Sequence, residues 1–233
     1  LVVVGNGMAG IRTVEELLKL APDKYAITVF GAEPLPNYNR ILLSPVLGGE
    51  KKFADIVLND DAWYAGHGIT LHKGREVVGI DRRQRKVVAR DGTEASYDRL
   101  LLATGSNPFL LPVQGKDLAG VIGFRDLADV ESMLAASEKY KHAVVIGGGL
   151  LGLEAANGLM KQGMKVTVVH LPDVLMERQL DQVAARMLRK ELEARGLQFI
   201  FKGVTQEIFG KGRVQGVRLA GGQELTADLV VMA

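Results

Sequence analysis

Two glycine runs of identical spacing constrain this chain more than any other feature. Leu1-Val2-Val3-Val4 is apolar, and Gly5-Asn6-Gly7-Met8-Ala9-Gly10 follows it with G-x-G-x-x-G spacing. Val144-Val145-Ile146 runs in the same way into Gly147-Gly148-Gly149-Leu150-Leu151-Gly152. A buried strand entering such a loop and leaving it as a helix restricts the fold severely. The first glycine permits the tight turn, the second lets an anion approach the backbone, and the third lets helix and strand pack closely. The helix N-terminus then offers unpaired amides to a pyrophosphate. One such loop is a weak signal, because ordinary strand-to-helix turns also contain glycine. Two in one chain point to two bound nucleotides.

The surroundings of the first loop supply the context it requires. A helix is predicted over 11–20, a break at Pro22-Asp23 and a second buried strand over 25–30, forming a βαβ unit of about 30 residues. The pattern asks for a carboxylate about 20 positions on, to accept hydrogen bonds from a ribose. After Gly31 and Ala32 the candidate is Glu33, which reads equally as a plain loop carboxylate. Residues 34–40 are rich in turn formers and are expected to be irregular. Arg40 could lie along a pyrophosphate and bind it bidentately, or stand as a surface arginine before a helical turn. A short helix is expected around Trp63-Tyr64, strands over 68–71 and 77–80, and a hairpin about Asp91-Gly92. Leu100-Leu101-Leu102 reads as a buried strand ending in Ala103-Thr104-Gly105, small residues that leave room for a ligand at a sheet's C-terminal edge. Pro108, Pro112, Gly115 and Gly120 mark a linker.

The second half repeats the plan. Leu127, Val130, Met133 and Leu134 share one face of a helix over 126–137. The second βαβ unit follows, with a strand over 143–146, a helix over 150–162 and a strand over 165–169. Here His170 stands where the ribose carboxylate is expected, so NAD and NADP both remain open; His170 reads equally as a simple strand-end residue. Glu154, two residues past Gly152, is placed in the helix's first turn, where the helix dipole stabilises it or where it faces a nicotinamide. A helix over 179–195 is expected to pack Val183, Met187, Leu188 and Leu192, followed by antiparallel strands over 198–201, 205–209 and 214–219 and an apolar strand over 229–232.

Composition narrows the function classes. The net charge of +2, from 29 basic and 27 acidic residues, leaves no footprint for nucleic acid. The basic run Asp81-Arg82-Arg83-Gln84-Arg85-Lys86 reads as a solvated hairpin turn. With no cysteine in the chain, a disulfide framework, a dithiol centre and cysteine-held zinc or iron–sulfur are excluded within it. His67 and His72 have no helical metal spacing and no neighbouring ligand cluster, so no metal is expected. No apolar run reaches the ~18 residues of a membrane span, and no leader is evident, which suggests a cytoplasmic protein. Both ends cut into strand patterns, so the sequence is expected to be a fragment.

Taken together, the loop at 5–10, Ala103-Thr104-Gly105, the loop at 147–152 with Glu154, and the strand at 228–233 resemble the pyridine-nucleotide–disulfide oxidoreductase superfamily. More narrowly, Asn37-Tyr38-Asn39-Arg40-Ile41-Leu42-Leu43-Ser44, Val169-His170-Leu171-Pro172 and Met176-Glu177-Arg178-Gln179-Leu180-Asp181 resemble the large-subunit family of assimilatory NAD(P)H-dependent nitrite reductases. The resemblance implies an α/β protein of two Rossmann-like three-layer domains. An NAD(P)H-binding domain over 114–233 would be inserted into a truncated FAD-binding domain over 1–113. It implies FAD contacts from Gly5, Gly7, Met8, Ala9, Gly10, Ala32, Glu33, Arg40, Val77, Ala103, Thr104 and Gly105. NAD(P)H contacts are implied for Gly147, Gly149, Leu150, Leu151, Gly152, Glu154 and His170. The activity implied is hydride transfer from NAD(P)H to FAD, with electrons passed to a downstream redox domain or small subunit. Sirohaem and an iron–sulfur cluster belong to parts of the family outside this sequence, and an oligomer is possible. A stand-alone ferredoxin or rubredoxin reductase and an NAD(P)H-sensing flavoprotein are the alternatives. Related reductases carry a lysine at Pro45 and an arginine at Phe109, and the sequence is expected to stop before the Gly-Asp motif that closes their FAD site.

Overall fold

The computed structural model describes all 233 residues and divides them into two compact units, 1–40 with 53–106, and 41–52 with 107–233. Each is an α/β unit of Rossmann type.

The first unit is built on four parallel strands in the order β5-β2-β1-β9: β1 (Val2–Val4), β2 (Thr28–Phe30), β5 (Thr70–His72) and β9 (Leu100–Leu102). Alternation along the strands sends side chains to two different layers. Val3 and Val29 face helices α1 (Met8–Leu20) and α3 (Asp61–Gly66), packing with Ile11, Val14 and Tyr64. Val2, Val4 and Phe30 face the opposite way and pack with Val87 and Ala89. Those two belong to an antiparallel meander of β6 (Val77–Asp81), β7 (Lys86–Ala89) and β8 (Glu94–Ser96). The unit is therefore three layers deep: helices, parallel sheet, meander. Between β6 and β7 the basic run forms a tight turn, closed by the Asp81 carboxylate accepting from the Arg83 and Gln84 amides, both at 2.8 Å.

The second unit repeats this build. Its parallel sheet runs β10-β17-β11-β12-β13, from β10 (Val121–Gly123), β11 (His142–Ile146), β12 (Lys165–His170), β13 (Gln198–Phe201) and β17 (Leu229–Met232). Helix α5 (Leu150–Lys161) lies against β11, β12 and β17, burying Leu153, Ala155, Ala156 and Leu159. The other face is covered by a meander of β14 (Thr205–Lys211), β15 (Arg213–Leu219) and β16 (Glu224–Thr226), where Ile208, Val214, Val217 and Leu219 meet Val144, Val169, Val230 and Met232. Helix α4 (Leu127–Lys139) starts in a capping box between Asp126 and Asp129, and α6 (Gln182–Ala194) is capped by Asp181.

Several expectations are corrected. Residues 34–40 are not wholly irregular, because Asn37–Tyr38 forms β3 against β4 (Val57–Asn59), with Asn37 Nδ2 donating to Asn59 Oδ1 at 2.8 Å. Strand β13 is a parallel edge strand of the main sheet and not part of the antiparallel meander. Helix α6 begins at Gln182 instead of 179, and Val183 and Met187 are 58% and 69% exposed, so they do not pack inward. Leu102 is 58% exposed because β9 is an edge strand. The two compact units divide after Ser106, with residues 41–52 in the second. The reason is local. Helix α2 (Leu43–Leu47) seats the fully buried Leu47 on α5 at Gly158, where a Cβ would lie 2.6 Å from Leu47 Cγ. Gln162 Nε2 donates to the Leu47 carbonyl at 2.7 Å beside it.

Candidate functional site

Each unit presents one glycine loop at the C-terminal end of its sheet. The first intrahelical donors are Ile11 N–H to Gly7 O (3.1 Å) and Leu153 N–H to Gly149 O (3.0 Å). The amides of Met8, Ala9 and Gly10, and of Leu150, Leu151 and Gly152, therefore precede the helical ladder, as at any helix start. The longer helices differ in how their starts are capped. α3, α4 and α6 each have an aspartate accepting a first-turn amide, whereas α1 and α5 have no side-chain cap and no acidic residue in the first turn. Like the five-residue α2, they start without a side-chain acceptor.

The six glycines that make up the two G-x-G-x-x-G patterns separate by cause. Gly5 (φ +118°) and Gly147 (φ +127°) adopt left-handed backbone, and a Cβ on them would lie 2.1 Å from Ala103 O and 2.0 Å from Ala233 O. Gly10 and Gly152 have no room either: a Cβ would come within 2.6 Å of Gly5 O and 2.1 Å of Gly147 O. Gly7 and Gly149 differ. Their φ values of −91° and −80° suit any residue, and a Cβ would meet nothing within 4 Å. No contact inside the chain requires glycine there.

Beneath each loop one side chain fills the same space from opposite partners. In the first, Asn6 turns inward, accepting from Tyr64 Oη at 2.6 Å and donating to Leu35 O at 3.1 Å. Gly31 leaves it room, since a Cβ there would lie 2.8 Å from Asn6 Cβ. In the second, Gly148 leaves the room and His170 fills it. The His170 ring is buried, and its Nδ1 accepts the Gly148 amide at 2.9 Å. Its proton is then on Nε2, which faces Glu177 Oε2 at 3.2 Å. His170 thus underpins the loop instead of extending from the strand end.

The remaining candidates are placed as follows. Ala103 donates its amide to Val4 O at 2.8 Å and lies against Gly5 and Gly10, with Thr104 and Gly105 exposed beyond it. Ala233 takes the equivalent place beside Gly147, its amide on Ile146 O at 3.0 Å. Ala32 is exposed. Glu33 accepts from Tyr38 Oη at 2.7 Å and forms an ion pair with Arg40, whose guanidinium lies 5.1 Å from the Tyr38 ring centroid. Glu33 and Arg40 are therefore joined in one polar cluster. Val77 starts β6 opposite Ala89 and packs on the Val2–Val4–Phe30 layer. Glu154 stands beyond the first turn of α5, contrary to its expected place, and accepts from Ser44 Oγ at 2.5 Å. The dipole of the first turn therefore does not account for it. No cluster of three or more His, Cys, Asp or Glu could hold a metal ion, and no helix is long and apolar enough to cross a membrane.

Sequence reasoning missed Asn6, Tyr64, Ser44, Glu177 and Ala233. Only Ala233 had a legible signal, as the counterpart of Ala103 after the last parallel strand.

The comparisons with known proteins converge on one family. Residues 1–233 match the profile of the pyridine nucleotide-disulphide oxidoreductases. The chain is 54% identical over its full length to the nitrite reductase [NAD(P)H] of Bacillus subtilis (strain 168), covering 29% of that protein. It is 49% identical to the assimilatory nitrate reductase electron transfer subunit of the same organism, covering 30% of it. The chain thus spans under a third of these relatives. Among solved structures, a ferredoxin reductase from Rhodopseudomonas palustris superposes with a TM-score of 0.90 at 30% identity, over all of this chain and 58% of that one.

Proposed function

The chain belongs to the pyridine nucleotide-disulphide oxidoreductase family, and from that premise we propose that it is the electron-input module of a nitrite reductase. In this reading the first loop holds FAD and the second NAD(P)H. When bound, FAD supplies the chemistry, accepting a hydride from NAD(P)H and releasing electrons one at a time toward a metal centre in another part of the protein or in a partner.

The observation that carries this reading is the pair Gly7 and Gly149. Neither fold nor backbone conformation explains a glycine at these positions, and both stand before an uncapped helix. A pyrophosphate approaching the backbone explains both features. The residues have distinct tasks. The amides of Met8, Ala9 and Gly10 and of Leu150, Leu151 and Gly152 bind pyrophosphate oxygens. Glu33, oriented by Tyr38 and Arg40, accepts hydrogen bonds from the flavin nucleotide's ribose. Ala103, Thr104 and Gly105 line the FAD crevice, Arg40 lies toward the flavin side, and Val77 meets the adenine through its backbone. Glu154, held by Ser44, is presented at the nicotinamide side of the second loop. Hydride transfer itself requires no acid–base pair.

The close relatives favour nitrite reduction as the destination of the electrons over a stand-alone ferredoxin reductase. The deciding experiment is anaerobic addition of NADH to the longer protein. Bleaching of the flavin spectrum followed by nitrite-dependent reoxidation is expected. A flavin that stays oxidised refutes the reading, and reoxidation by ferredoxin but not by nitrite replaces it with the reductase alternative.

A further inference from the structure

We propose that Glu177 reads the adenosine ribose of the nucleotide at the second loop and makes this site prefer NADH to NADPH; the proposal rests on the nucleotide reading of that loop given above. The carboxylate that usually performs this task stands at the end of the strand after the loop's helix. Here that place is taken by His170, whose ring is turned under the loop and occupied by the Gly148 amide. The strand end therefore supplies no acceptor of its own.

The segment that follows supplies one. Met176 donates its amide to Gly148 O at 3.1 Å, which ties this segment to the glycine loop itself. Leu175 is fully buried next to that contact, its Cδ2 3.0 Å from where a Cβ on Gly148 would stand. Met176 takes a left-handed φ of +51°, and its carbonyl accepts the amides of Gln179 and Leu180 at 2.8 and 2.9 Å. The chain is thus reversed at a fixed point beside the loop. Glu177 is the next residue, with Oε2 3.2 Å from His170 Nε2 and 38% of its side chain exposed. His170 acts as a clamp: one ring nitrogen holds the loop, the other holds the carboxylate beside it. A partly exposed carboxylate with one oxygen held by His170 keeps its other oxygen to accept hydrogen bonds from ribose hydroxyls and repels a 2′-phosphate. The cations on this segment and the strand end beside it are Arg178, which is exposed, and Lys202, whose amide donates to Pro172 O and whose ammonium lies 3.8 Å from Asp173. They are the groups that would favour the phosphate.

The test is calorimetric titration of the longer protein with ADP-ribose and with 2′-phospho-ADP-ribose, ligands that carry no redox chemistry. The wild type is expected to bind ADP-ribose at least about tenfold more tightly, the scale of one charge-assisted hydrogen bond. Glu177→Gln keeps an oxygen for His170 Nε2 and removes only the charge. It should cut the preference about tenfold, chiefly by tighter binding of the phosphorylated ligand, and Glu177→Arg should reverse it. A preference that Glu177→Gln leaves unchanged, or a wild type that prefers the 2′-phosphate, overturns the role of Glu177 alone. If neither ligand binds the wild type, the nucleotide reading of the loop fails, and this proposal fails with it.

Discussion

Gly148 and His170 fit each other as Gly31 and Asn6 do, with the large and small partners exchanged between loop and strand end. A Cβ on Gly148 would lie 2.7 Å from His170 Cγ, and a Cβ on Gly31 would lie 2.8 Å from Asn6 Cβ. None of the four positions has a left-handed φ, so the two arrangements are interchangeable as far as the backbone is concerned. Gly148→Asn alone should destabilise the second unit through overlap with the ring. His170→Gly alone should cost about 2–4 kcal/mol, from the lost packing and the orphaned Gly148 amide. The double variant, which copies the first loop, should recover part of both losses, with a coupling of about 0.5–3 kcal/mol. Denaturant unfolding of the four proteins measures it, and simple additivity would show that the two sites do not share one space.

The glycines of the loops should separate folding from binding. Gly7→Ala and Gly149→Ala add a methyl group that touches nothing in the chain. Both should melt within a degree or two of the wild type while losing FAD and NADH binding respectively. Gly5→Ala and Gly147→Ala combine a left-handed φ with backbone atoms about 2 Å away. Strain of about 1–3 kcal/mol from the dihedral alone, with the overlap added to it, should lower the melting temperature or prevent folding. Differential scanning calorimetry paired with ligand titration distinguishes the two classes.

Asp228 should make stability depend on acid. Burial raises its pKa, but the His142 and Lys141 amides that donate to its carboxylate outweigh burial and hold it below the usual aspartate value. A folded-state value below the unfolded one means that the stabilisation is complete above the unfolded value of about 3.9 and is lost as pH falls through the folded value. Asp228→Asn should therefore be less stable than wild type at pH 7 and converge with it in strong acid. Urea midpoints between those limits measure the gap. A gap that is constant with pH would show that the carboxylate's charge is not what joins β11 to β17.

The parallel cores were legible because their causes are local: apolar runs ending in glycine loops can only be buried strands entering helices. The misreadings share a different cause. Nothing in Gln198-Phe199-Ile200-Phe201 distinguishes a parallel edge strand from an antiparallel one, since both alternate with the same period. β13 was fixed by pairing with β12, a contact 31 residues distant between Thr167 and Gln198. Residues 41–52 join the second compact unit for a similarly distant reason, since their anchor is the notch at Gly158 far along the chain. At the candidate site, the glycine spacing is a local signal and the supports beneath it are not. Asn6–Tyr64 and Ser44–Glu154 span 58 and 110 residues, and no spacing rule links them. Val183 and Met187 were placed inward by periodicity alone, which marks an apolar face without showing that anything covers it.

Tyr64 should control the first loop from below. Its hydroxyl donates to Asn6 Oδ1 at 2.6 Å, and its ring is almost wholly buried among Val3, Ile11, Val14 and Val29. Tyr64→Phe keeps the ring and leaves Asn6 without that donor, at a cost of about 1 kcal/mol. The loop's inward residue is then less firmly held, so FAD affinity should fall while NADH affinity at the second loop stays unchanged. Alkaline pH should act on the same contact. Burial pushes the Tyr64 phenol well above the ordinary tyrosine value, against weaker opposing hydrogen bonds from Asn37 and Asn6. A raised folded-state pKa gives stabilisation that is full below the unfolded value of about 10 and declines as pH rises past it. Wild type should therefore lose stability above about pH 10 more steeply than Tyr64→Phe. Equal slopes for the two proteins in that range would show that the buried phenol is not the group responsible.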